Sequence, residues 1–179
     1  IRYMFDPSSG FTAGQEAIFR AAMQLWSDVA NVTFVEADTP ADAQLRLFLF
    51  GSTTPGVTLD QGAYAGASYT AGKAGDTTIP TTLSATLSIE QVESWAQLDS
   101  FTFAGGYGPS TIVHELGHVI GLGHTGPYNG NVNALLQQLT PYDSYPWSIM
   151  SYLRSTADLR YPAVPAAQGA VYTPQVSSA

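Results

Sequence analysis

All three histidines of this chain lie between His114 and His124, in "HELGHVIGLGH", and no other stretch restricts the fold as strongly. Pro109 and Ser110 suit the opening of a helix, and the pattern "STIVHELGHVIG" continues it to Gly121, where a glycine can take the left-handed conformation that ends a helix. On such a helix His114 and His118 stand one turn apart and project from one face. Beyond Gly121, Leu122 and Gly123 lead His124 back toward the same place. Three neutral imidazole nitrogens can hold one zinc ion and leave its fourth tetrahedral position open. A structural site would be closed by a fourth ligand, but the chain has no cysteine and no further histidine. An open position suits chemistry, because zinc lowers the pKa of a bound water and polarises a carbonyl. Glu115 is placed to take that water's proton and pass it to a departing nitrogen.

The remainder of the chain supplies the frame. With 179 residues, 45% of them hydrophobic, it can bury a core as one domain of two lobes, about 1–121 and 122–179. A net charge of −8, with few and scattered basic residues, argues against nucleic acid and anionic membrane as partners. No run approaches the roughly 20 apolar residues of a membrane span. The start, "IRYMFDPSSG", lacks the basic and apolar regions of a signal peptide, so the expectation is a soluble, processed or excised piece. Low charge and abundant small polar residues fit an exported protein.

"FTAGQEAIFRAAMQLWSDVANVTF" predicts an amphipathic helix over about 13–29. Thr12 is its N-cap, Gln15 completes a capping box, and Ile18, Ala22, Leu25, Trp26 and Val29 form the apolar stripe. "NVTFVEA" and "AQLRLFLFG" read as strands, the second as a central one covered on both faces. A helix between strands implies a parallel pair joined by a right-handed crossover. A short strand near Ala63 to Tyr69, a turn at Ala71 to Gly75 and another strand near Thr77 to Ile79 follow, the first open as an edge. "SIEQVESWAQLDSF" reads as a short helix capped by Ser88, and "AGGYGPS" as a glycine-rich turn. "GGYG" occurs once and lacks the aspartate of a calcium-binding repeat.

The extended motif H-E-x-x-H-x-x-G-x-x-H, followed by Met150 in "WSIMSY", resembles the metzincin zinc endopeptidases, whose helix motif is completed by a downstream Met-turn. "GYG", "HELGHVIGLGH", "GPYNG" and "SIMSY" come in the order found in serralysins, the secreted bacterial members. The resemblance implies an α+β fold with an α/β-like N-terminal lobe, in which a twisted mixed sheet carries a long backing helix and an active-site helix. A small irregular C-terminal lobe completes it. It implies His114, His118 and His124 as zinc ligands and Glu115 as the catalytic carboxylate. Tyr152 would be a fifth ligand at rest that swings away to hydrogen-bond the oxyanion during catalysis. A protein or peptide substrate would lie along the edge strand near Ala63 to Ser68, with specificity set by a pocket near His114 and the Met-turn. A proteinaceous protease inhibitor is a further partner of that kind.

Three features depart from the family. Thr125 stands where serralysins usually carry proline. "VNALLQQLTPYDSYP" has helical character of its own. Serralysins also continue into a C-terminal helix and calcium-binding glycine repeats, whereas this sequence ends at "VYTPQVSSA". That leaves open a minimal protein or a piece of a longer one, and leaves calcium binding open with it. Against the secreted endopeptidase stand a reading from a different class, a zinc-containing binding or adhesion module that keeps the metal site without cleaving, and a third, a structural zinc domain.

Overall fold

A computed structural model of the chain describes residues 1–50, 62–90 and 107–153. They fall into two compact units, Ile1–Gly121 and Leu122–Ala179. The class is α+β, with a mixed five-stranded sheet and a few helices.

In the first unit, β1 (Arg2–Phe5) pairs in parallel with both β2 (Val35–Glu36) and β3 (Leu45–Phe50), and β3 pairs in parallel with β5 (Thr77–Glu90). β4 (Ala63–Ala74) runs antiparallel to β5, giving the order β2-β1-β3-β5-β4 with β4 at an edge. β3 is central as expected, with Leu45 and Leu47 fully buried, but Arg46 is exposed. β1 has no counterpart in the sequence reading, and the strand read in "NVTFVEA" contracts to two residues. β4 and β5 are far longer than the short strands read there. Strand pairing is a tertiary contact, and each strand of this hairpin supplies the other's hydrogen-bond partners irrespective of its small-residue composition. Ser88 is a correction: it lies inside β5, 3% exposed and paired with Phe48 and Tyr64, and caps no helix. The remainder of that supposed helix, 91–101, lies outside the described residues, as does the start of the glycine-rich turn.

The helix between β1 and β2, α1 (Ala13–Val29), has the capping box in full. The Thr12 hydroxyl accepts from the Gln15 N–H at 3.2 Å, and the Gln15 side chain accepts from the Thr12 N–H at 2.9 Å. Its buried face runs through Gln15, Ile18, Phe19, Ala22 and Met23. That is rotated from the predicted stripe, and Val29 is exposed. Phe19 meets Phe5 and Phe11 edge to face, with ring centroids 5.9 and 5.5 Å apart, which seats α1 on the start of the sheet. Further along, the Trp26 indole N–H donates to the Val113 carbonyl at 2.9 Å and ties α1 to α2 (Tyr107–Val119). α2 begins two residues earlier than Pro109.

Asp6 caps the 3-10 turn Pro7–Ser9 and is buried. Burial alone raises its pKa. Hydrogen bonds from the Ser8 hydroxyl and N–H, with the Arg46 guanidinium, outweigh that and hold it below the ordinary 3.8. Because the folded value lies below the unfolded one, the ionised carboxylate stabilises the fold above the unfolded value. The contribution is lost as pH falls through the folded value. Asp6→Asn is expected to cost about 1–3 kcal/mol at neutral pH and to flatten the loss of stability below about pH 4. Urea unfolding across a pH series measures both, and parallel curves for the two proteins would exclude the effect.

Candidate metal centre

In α2 the sequence places side chains of opposite character in adjacent positions. Ile112, Leu116 and Val119 are fully buried and anchor the helix by apolar contact. His114 and Glu115, 6% and 7% exposed, are carried in with them. The His114 and His118 rings meet edge to face, 4.8 Å between centroids, with Nε2 to Nε2 at 3.1 Å. Two nitrogens about 2.0–2.1 Å from one tetrahedral ion lie about 3.3 Å apart, so this separation fits a shared zinc. The donor set suits that ion too: imidazole is a preferred zinc ligand, and a metal replaces the proton that two facing lone pairs would otherwise need.

Glu115 sits between these residues on the helix and is held from the sheet. Burial raises its carboxyl to about 7, partly offset by a hydrogen bond from the Ala65 backbone on β4. β4 reaches α2 a second time at Tyr69, whose hydroxyl donates to the Val119 carbonyl at 2.5 Å. This satisfies one of the acceptors that every helix leaves unpaired at its C-terminus. The chain then bends at Gly121, where φ is 102°, a conformation closed to most other residues.

In the second unit, the His124 Nδ1 lies 2.8 Å from the Tyr128 carbonyl oxygen. A carbonyl only accepts, so Nδ1 carries the hydrogen and Nε2 the lone pair, the tautomer of a metal-ligating histidine oriented by its other nitrogen. The Tyr128 ring stacks on His124, 5.6 Å between centroids, and the Tyr152 ring lies 4.4 Å from it on a tilt. Met150 is buried in a tight turn: the Ser151 N–H donates to the Ser148 carbonyl at 3.1 Å, and the Thr125 N–H donates to the Met150 carbonyl at 3.3 Å. Among the described residues, His114, His118 and His124 are the group that could hold a metal ion.

The second unit also holds a polar cluster that was not legible in the sequence. The hydroxyls of Thr125, Tyr128 and Ser151 all donate to Asp143 Oδ1. Burial, reinforced by Asp143, raises the Tyr128 phenol above its ordinary pKa, so it stays a donor. Asp143 in "TPYDSYP" reads locally as a turn residue, and nothing in that string announces three partners.

Residues 3–142 match the matrixin family, Peptidase_M10. The chain belongs to the matrixin family. It is similar to metalloprotease AprA of Pseudomonas entomophila, 32% identical over 146 residues that make up 80% of this chain and 27% of that protein. Serralysin of Photorhabdus laumondii is 32% identical over 154 residues, 80% of this chain and 28% of its own length. Metallopeptidase AprA of Pseudomonas marginalis is 34% identical over 151 residues, again 80% and 28%. This matrixin is therefore a serralysin-like metzincin domain, and it spans between a quarter and a third of the length of these relatives.

Gly126 in this matrixin has no room for a side chain. A Cβ there would press on the Tyr128 ring, on Asp143 Oδ2 at 2.6 Å and on the Gln137 carbonyl at 2.9 Å. Gly126→Ala is expected to lose about 1–3 kcal/mol, read as a lower midpoint in urea. An unchanged midpoint would mean that the loop relaxes at no cost.

Proposed function

We propose that this chain is the catalytic part of a secreted zinc endopeptidase that cleaves proteins or peptides. The observation that carries the reading is the pair of imidazole nitrogens 3.1 Å apart on one buried helix, with Glu115 between them in sequence. His114, His118 and His124 would be the zinc ligands, with Tyr152 joining them at rest. Zinc, when bound, supplies Lewis acidity to water and to the scissile carbonyl.

The protein's own groups do the remaining work. Glu115 accepts the proton of the attacking water and returns it to the leaving amine nitrogen, and burial keeps bulk water from competing for that proton. The hydrogen bond from Ala65 fixes the carboxylate beforehand, so orientation need not be found during the reaction. Tyr152 donates its phenol O–H to the developing oxyanion. The substrate lies extended along β4, whose outer edge no strand among the described residues covers. Main-chain pairing of that kind tolerates many sequences. No helix among the described residues is long and apolar enough to cross a membrane, and the relatives named serralysin support export.

The chain is expected to digest denatured casein, to stop with a chelator and to resume with zinc. Glu115→Ala should abolish turnover while one zinc per chain remains by metal analysis, and full activity in that variant would sink the mechanism. A wild-type chain that binds zinc and turns over nothing would leave the binding-module reading. Tyr152→Phe should keep the zinc and lose roughly 10²-fold in kcat, the scale of one oxyanion donor; equal rates would reduce Tyr152 to packing.

A further inference from the structure

Asp143 is 1% exposed, yet it makes no ion pair among the described residues. A carboxylate so buried is costly unless its oxygens receive donors. Oδ1 receives three, from Thr125 and Tyr128 at 2.5 Å each and from Ser151 at 2.8 Å, whereas Oδ2 receives none. All of the side chain's hydrogen bonding converges on one atom. The three donors come from two chain segments, and each lies one link from a group assigned to the reaction. Thr125 follows His124, and its N–H holds the Met150 carbonyl. Tyr128 supplies the carbonyl that accepts the His124 Nδ1–H, and its phenol oxygen accepts the Tyr152 N–H at 3.3 Å. Ser151 separates Met150 from Tyr152, and its hydroxyl oxygen accepts the Leu153 N–H at 3.0 Å.

We propose that Asp143 is a positioning residue of the centre: by gathering Thr125, Tyr128 and Ser151 on one oxygen, it fixes the His124 tautomer and holds the turn carrying Tyr152. The proposal rests on the reading of His124 as a zinc ligand and Tyr152 as a donor. Hydroxyls suit this task because each can donate to the carboxylate and still accept from a backbone N–H. Tyr128 and Ser151 both do so. The geometry also accounts for Thr125, since a proline there has neither the hydroxyl that reaches Asp143 nor the N–H that reaches Met150. Charge-assisted hydrogen bonds in a buried setting are about twice as strong as neutral ones, so the anion orders the loop more firmly than an amide would.

The test compares Asp143→Ala and Asp143→Asn with wild type by zinc affinity, by kinetics and by the ring nitrogen signals of His124 in the metal-free protein. Asp143→Ala is expected to weaken zinc binding about 10–100-fold, the usual loss for a group that orients a ligand. It should lower kcat with KM little changed and bring the Nε2–H tautomer of His124 into view. Asp143→Asn, which keeps one oxygen acceptor, should recover part of each loss. If Asp143→Ala does not fold, Thr125→Val and Ser151→Ala remove one donor apiece and are read the same way. A folded variant with wild-type zinc affinity and an unchanged His124 tautomer would overturn the proposal, whatever its melting temperature. If the wild-type chain binds zinc but cleaves nothing, the endopeptidase reading fails, and affinity and tautomer still decide the role of Asp143.

Discussion

Burial of α2 is the constraint on which the first unit depends. A helix that places His114 and Glu115 among Ile112, Leu116 and Val119 cannot rely on water to satisfy its polar atoms. Its neighbours do so instead: the Trp26 indole from α1 binds the Val113 carbonyl, the Tyr69 hydroxyl from β4 binds the Val119 carbonyl, and the Ala65 backbone binds Glu115. Two of these three come from β4, so the edge strand of the sheet also holds the helix. β4 must run at least to Tyr69 for this double duty, because Ala65 and Tyr69 reach α2 at two different points.

The second unit, by contrast, has a single regular element among the described residues, α3 (Ala134–Gln137), of one turn. It is organised by side-chain hydrogen bonds around Asp143, Tyr128 and Ser151 more than by a backbone ladder. Such a network is stiff only when most of its members are satisfied, because each buried hydroxyl left without a partner costs more than its bond contributes. Gln138, fully buried, extends the network by donating to the Asp143 carbonyl.

What could be read from the sequence was whatever short-range chemistry dictates. The Thr12 and Gln15 box, the one-turn spacing of His114 and His118, and the left-handed Gly121 depend on residues within a few positions of one another, and the structure has all three. What could not be read depends on distant partners. Ser88 has the character of a helix cap, but pairing with Phe48 and Tyr64 overrides it. Val29 fits the helical stripe, but the sheet meets α1 on the face of Phe19 and Met23. The tie between Ala65 and Glu115 uses a main-chain N–H, which no side-chain pattern can announce. Asp143 draws its donors from residues 8 to 18 positions away, beyond the reach of any periodicity.

The β4–β5 hairpin has one irregularity, a register shift between Thr70 and Ala71. The extra residue is on β5: Thr81 falls between the pairs Thr70–Thr82 and Ala71–Pro80 and has no partner in the β4 register. On the outer side β4 itself is uninterrupted, so an extended chain laid along this edge meets a continuous row of main-chain groups, twisted where β5 bulges behind it. That added twist is one of the ways an edge is kept from pairing with a second copy of the whole strand, which zips most easily along a flat one.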